Sequence, residues 1–172
     1  QTLRQQYGVE AEVLVADLAD LDDVCAVEAR LRADGANGDA PSVDMLVNNA
    51  GFGLRGDFVD NDAAQHTAML RVNALTPMRL TRAALPGMIA RKRGTIINVA
   101  SLMAFYPGLG WATYGATKAF LLSFTKGLQH EVVGTGVQLQ ALCPGFTRTE
   151  FQHSAEFKST WVPRVMWMSS KA

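Results

Sequence analysis

The sequence predicts an α/β protein in one domain: a parallel sheet, doubly wound, with helices on both faces. Three observations predict it. Short, continuous apolar runs alternate with longer stretches whose apolar residues recur every three or four positions, the pattern of strands buried between helices. The residues with evident chemistry, Asp17, Asn48 to Gly51, Ser101 and Pro144 to Thr149, all follow apolar runs. In such sheets, ligands bind at the carboxyl ends of strands. The 172 residues suffice for one domain with a sizeable core.

Residues 1–8 (Q-T-L-R-Q-Q-Y-G) read as the last turns of a helix entering a turn. Residues 11–16 (A-E-V-L-V-A) read as a short buried strand ending at Asp17. Residues 21–33 are helical, with Leu21, Val24, Val27 and Leu31 on one side and Gly35 as the stop. Residues 44–47 form the second strand and run into Asn48-Asn49-Ala50-Gly51. A loop leads to a long helix over 63–91. It should kink at Pro86-Gly87, because proline removes a backbone donor and clashes with the preceding turn. Arg91, Lys92 and Arg93 suit its C-terminus, where cations meet the negative end of the dipole. Residues 95–99 form the third strand, ending at Ala100-Ser101. The helix over 112–133 is stopped by Gly134-Thr135-Gly136, and residues 137–142 form the fourth strand, ending at Cys143-Pro144-Gly145. The remainder, 146–172, mixes Trp161, Val162, Val165, Met166 and Trp167 with polar residues.

Charge excludes some functions. Lysine plus arginine equals aspartate plus glutamate, 16 each, so nothing favours a nucleic-acid or membrane-surface partner. No apolar run approaches the roughly 20 residues that span a bilayer. Cys25 and Cys143 sit in apolar segments and read as reduced core residues of a cytoplasmic protein, with no metal site.

Chemistry concentrates between Ser101 and Lys118. Tyr114 and Lys118 are four apart on a predicted helix and so share a face. An ammonium there should favour the phenolate and make Tyr114 a usable acid or base near neutral pH. A second motif, Gly51 to Gly56 (G-F-G-L-R-G), fits the dinucleotide fingerprint G-x-G-x-x-G. No helix opens at it and no acidic residue ends a strand about 20 residues on, so it reads as a glycine-rich loop.

Taken together, the chain resembles the short-chain dehydrogenase/reductase family. The matches are Asp17-Leu18 after the first strand, Asn48-Asn49-Ala50-Gly51 after the second, and Asn73 in the long helix. Ser101 follows the third strand, Tyr114-x-x-x-Lys118 opens the next helix, and Pro144-Gly145-x-x-x-Thr149 follows the fourth. The serine-to-tyrosine step is 13 (114 − 101), as in the family. The resemblance implies a Rossmann-like sheet and an oxidoreductase that interconverts an alcohol and a carbonyl with NADP or NAD. It implies Tyr114 as acid/base, with Lys118 lowering its pKa and binding the nicotinamide ribose. Ser101 would hydrogen-bond the reacting oxygen. Asn73 would distort its helix and hold a water in a proton relay. Asp17 and Leu18 would line the adenine site. Asn49 and Gly51 would lie against the cofactor, as would Pro144 and Gly145. Thr147 and Thr149 would contact its carboxamide and phosphate region.

Against the family pattern, the first two strands, with their glycine-rich turn, and the last strand are missing. The chain therefore reads as a single partial domain, 1–172. It is expected to fold poorly and hold cofactor weakly by itself, since absent strands leave unpaired edges. The substrate is expected to be a small carbonyl or alcohol, an apolar one if Met103, Phe105, Trp111, Trp161, Val165 and Trp167 line its pocket. A homodimer or homotetramer is expected at full length. Two other functions compete. One is a non-catalytic remnant or interaction module that has lost the cofactor half. The other is a serine hydrolase at Ser101, which lacks a G-x-S-x-G elbow and a placed histidine among His66, His130 and His153.

Overall fold

The computed structural model describes residues 3–33, 41–106, 108–148 and 167–169. In chain order the elements are α1 (Leu3–Tyr7), α2 (Leu21–Arg32), β1 (Met45–Asn48) and α3 (Ala63–Leu70). A π-helical turn (Arg71–Leu75) joins α3 to α4 (Thr76–Ala90). Then come β2 (Gly94–Val99), a 3-10 turn (Leu102–Ala104), α5 (Ala112–Glu131) and β3 (Val137–Leu142). Two short strands, β4 (Phe146–Arg148) and β5 (Trp167–Ser169), pair in parallel by themselves.

The main sheet is parallel, in the order β1-β2-β3, with Leu46 opposite Ile96 and Ile96 opposite Leu139. Each strand reaches the next through helix: α3, the π turn and α4 first, then α5. All three carboxyl ends therefore fall on one edge. The core lies where α2, α4 and α5 meet the sheet: Val24 and Leu31, Leu80, Ala83, Ala84 and Met88, Ile96, Val132, Val137 and Leu139. Side chains alternate across a strand, so Asn48, Ile96 and Asn98 turn inward while Met45 and Val47 on the other side remain 57% and 49% exposed.

A polar layer crosses this core. Asn48 Nδ2 donates to Asn98 Oδ1 at 2.8 Å and to Thr81 Oγ1 at 3.2 Å, and Asn98 Nδ2 donates to Thr125 Oγ1 at 2.9 Å. Partnered amides tolerate burial, and these pin β1 to β2, α4 and α5 in one register.

Several expectations change. Residues 11–16 form no strand; Val13 and Val15 are 83% and 89% exposed. An apolar run becomes a strand only beside a neighbour that takes up its backbone groups, and none of the described residues offers one. The long helix carries its irregularity at residues 71–75, while α4 continues through Pro86. Leu21 and Cys25 are exposed. Cys25 lies outside the core, its sulfur accepting a hydrogen bond from Arg79 at 3.3 Å. The basic run behaves as expected. Arg91 caps α4 and donates to the Val43 carbonyl, and Arg93 pairs with Asp44 at 2.8 Å.

Candidate active site

The site gathers at the carboxyl edge of the sheet. β2 ends at Val99, and Ser101 caps the following 3-10 turn, its Oγ accepting from the Met103 amide at 3.1 Å. Two backbone bonds tie this turn to the end of β3: Ala100 N to Leu142 O at 2.7 Å and Leu102 N to Pro144 O at 3.0 Å. α5 then places Tyr114 and Lys118 in its first two turns, 8% and 5% exposed. Tyr114 meets Trp111 edge-on, ring centroids 5.5 Å apart.

The electrostatics differ from the expectation drawn from spacing. Burial pushes the Tyr114 pKa above its ordinary value, and the hydrogen-bonded Ser101 side chain pulls the other way. Lys118 lies 5.7 Å from the centre of the tyrosine ring and gives its hydrogen bond to Val99 O at 2.7 Å. Burial also lowers the Lys118 pKa to about 8, partly opposed by the nearby Cys143. Spacing measures proximity, whereas the pKa depends first on how much water each group has lost.

Asn73 lies in the π turn and is fully buried. Its Oδ1 accepts from Phe52 N at 3.1 Å, and its Nδ2 donates to Phe52 O at 2.8 Å and Thr117 Oγ1 at 3.3 Å. The expected local distortion of the helix is present. The carboxamide itself serves the backbone after Gly51.

The expected cofactor residues fall in two groups. Asn49 and Gly51 are exposed beyond β1, and a methyl at Gly51 would sit 3.0 Å from Asn73 Oδ1 and 3.6 Å from Lys118 Nζ. Pro144, Gly145 and Thr147 are half-buried beyond β3, with Thr147 Oγ1 donating to Gly145 O at 3.3 Å. Asp17 lies earlier in the chain, before α2, and caps its own turn, accepting from Ala19 N at 2.9 Å. The carbonyl of Leu18 accepts from Thr76 at 2.9 Å. Thr149 lies outside the described residues, as do Trp161, Val165, His153 and Gly35. The backbone at Gly51 thus lies close to a carboxamide oxygen and an ammonium, with little room for a side chain.

Apolar side chains are exposed in the segment before α5. Phe105, Tyr106 and Leu109 are 48%, 78% and 96% exposed, and Gly108 leaves room for Met103 against Trp111. The glycine-rich loop after β1 behaves as a loop: Gly56 N donates to Gly110 O at 3.1 Å, and α3 begins later, capped by Asp62. Trp167 instead packs on Phe146, centroids 5.7 Å apart. Among the described residues no hydrolase arrangement assembles. His66 packs on Phe58 and His130 lies in the last turn of α5. Among the described residues, no three His, Cys, Asp or Glu gather as metal ligands, and no helix is long and apolar enough to cross a membrane.

A parallel α/β sheet whose strands are joined through helices defines a class by fold, the Rossmann-like α/β proteins. Within that class the chain belongs to the short chain dehydrogenase family, whose model matches residues 1–159. A very-long-chain 3-oxoacyl-CoA reductase of Anas platyrhynchos is 34% identical over 152 residues, 86% of this chain and 47% of that protein. The chain thus spans about half the length of this curated relative. A short-chain dehydrogenase from Sphingobium yanoikuyae, solved with NADPH, superposes with a TM-score of 0.86 at 38% identity, covering 96% of this chain and 62% of that one. The bulky-bulky ketone specific alcohol dehydrogenase of Comamonas testosteroni gives 0.80 at 35% identity, covering 96% and 60%.

Sequence reasoning missed Thr117, Asn98 and the Val99 carbonyl as supports of the site. Thr117 did carry a signal, a small hydroxyl residue immediately before the lysine on the inward face of a helix.

Proposed function

We propose that this site interconverts an alcohol and a carbonyl with a nicotinamide cofactor, Tyr114 Oη giving or taking the proton. One observation carries the reading: a buried tyrosine is hydrogen-bonded to Ser101 from one element while Lys118 of its own helix lies over its ring. In this reading Ser101 binds and orients the reacting oxygen, and its hydrogen bond favours the phenolate. Lys118, anchored on Val99 O, keeps its ammonium close to Gly51, and in this reading it binds the ribose. Asn49, Gly51, Pro144, Gly145, Thr147 and Thr149 line the cofactor, with Asp17 and Leu18 at its adenine end. When bound, the cofactor supplies or accepts the hydride. NADP is the first choice to test because the Sphingobium neighbour is solved with NADPH.

The substrate in this reading is an apolar carbonyl compound. The exposed Phe105, Tyr106 and Leu109 support it, as do the substrates named for the Anas and Comamonas relatives. The same reading carries assembly of the protein into homodimers or homotetramers. The test is Tyr114→Phe in the full-length protein. Turnover of an apolar ketone with NADPH should fall by about a thousandfold or more, while NADPH binding stays within about threefold. Undiminished turnover would refute the role of Tyr114.

A further inference from the structure

Thr117 stands between the tyrosine and the lysine in sequence and is 1% exposed. Its hydroxyl makes two bonds of opposite sense. It donates to the Tyr114 carbonyl at 2.7 Å, so its oxygen is free to accept, and it accepts from Asn73 Nδ2 at 3.3 Å. A threonine that only bonds back to its own helix is commonplace. This one also receives a bond from a residue 44 positions away on a different helix.

The partner gives the bond its meaning. Asn73 has two amide hydrogens; one goes to Phe52 O and the other to Thr117. Its oxygen takes the Phe52 amide. The three bonds fix which way the carboxamide faces, because a flipped amide would set donor against donor at Phe52. That orientation places Oδ1 3.0 Å from the point over Gly51 that also lies 3.6 Å from Lys118 Nζ.

We infer that Thr117 is a positioning residue: its hydroxyl sets the Asn73 carboxamide and couples the π turn to the turn of α5 that carries Tyr114 and Lys118. The inference rests on the proposed function for its catalytic consequence, but its geometric content is separately measurable. Thr117→Val removes the hydroxyl at nearly constant shape. Thr117→Ser keeps the hydroxyl and removes the methyl.

In the full-length protein, Thr117→Val should lower kcat on the order of tenfold, the scale of a small misplacement of reacting groups. The KM for cofactor should stay within about twofold, and the pH midpoint of kcat should move. Thr117→Ser should return kcat to within about twofold of wild type. Amide exchange gives a readout independent of turnover: Phe52 N–H should exchange about tenfold faster in the valine variant than in the serine variant. Wild-type kcat together with wild-type Phe52 protection in Thr117→Val would overturn the inference. So would equal impairment of the serine and valine variants, which would assign the effect to methyl packing. A wild-type protein that turns over no carbonyl would sink the proposed function alone, and Phe52 exchange would still decide the role of Thr117. If Thr117→Val does not fold, Thr117→Ala is read in the same way.

Discussion

Replacing Lys118 with methionine removes a charge that the fold holds at a cost. The residue is 5% exposed, and burial lowers its pKa from 10.5 to about 8. That interval, at about 1.4 kcal/mol per pH unit, amounts to roughly 3 kcal/mol. Between pH 8 and 10.5 the unfolded chain retains the Lys118 proton while the folded protein has released it. The unfolded state then binds more protons, so this group makes stability rise with pH across that window. Below pH 8 both states are protonated and the folded state bears the full cost; above 10.5 neither is, and the cost is gone. Methionine has no such dependence. The stability of Lys118→Met relative to wild type should therefore be highest below pH 8 and fall by roughly 3 kcal/mol as the pH approaches 10.5. Leaving Val99 O without its donor costs about 1–3 kcal/mol, which offsets the difference at every pH and leaves its trend. Urea unfolding of both proteins in steps from about pH 7 to about pH 10 measures it. A difference that stays flat would refute the reasoning, because Lys118 would then titrate as a solvated lysine does.

Two further outcomes follow from local geometry. Gly136 has φ +83° and a Cβ there would collide with the Lys92 carbonyl, so Gly136→Ala should destabilise by at least about 1–2 kcal/mol, read as a lowered urea midpoint. Glu28 is 6% exposed and bonded to Arg79 at 2.5 Å and Arg32 at 2.7 Å, which hold its carboxyl below the ordinary value of 4.5. The stability this provides is present above pH 4.5 and lost as the pH falls through the lowered value, so Glu28→Gln should destabilise at neutral pH and converge on wild type in acid.

The sequence made elements legible where a local pattern sufficed. The strand at residues 137–142 and the start of α5 at Ala112 were readable because apolar runs and glycine stops are local signals. Residues 11–16 were misread for the complementary reason: their apolar character is local, but the neighbour a strand needs is not. The site divides in the same way. Ser101 entered through the resemblance, whereas spacing brought Tyr114 and Lys118 together, because i and i+4 on a helix share a face. It could not give the direction of the Tyr114 shift, since burial is set by the packing of Trp111 and the 3-10 turn. Nor could it place the π turn at residues 71–75, because no residue pattern marks the extra residue of a widened turn.

That widened turn explains how one helix reaches both ends of the proposed ligand site. In an uninterrupted α-helix, residues three apart lie on one face, so Asn73 and Thr76 would reach the same loop. Here Thr76 N donates to Arg71 O, the longer bond of a π turn, and the angle between the two side chains opens. Asn73 reaches the backbone of Phe52, beside Gly51 and Lys118, while Thr76 reaches the carbonyl of Leu18 and Arg71 that of Ala19. The loop after β1 and the turn after residues 11–16 are thus referenced to a single rigid element. The distance between the candidate ribose and adenine positions is then set by the helix, whose hydrogen bonds resist stretching. This accounts for the burial of an asparagine and a threonine in its interior, 0% and 4% exposed, where alanine would favour the helix more. Their helix propensity is given up for hydrogen bonds that fix two loops at once.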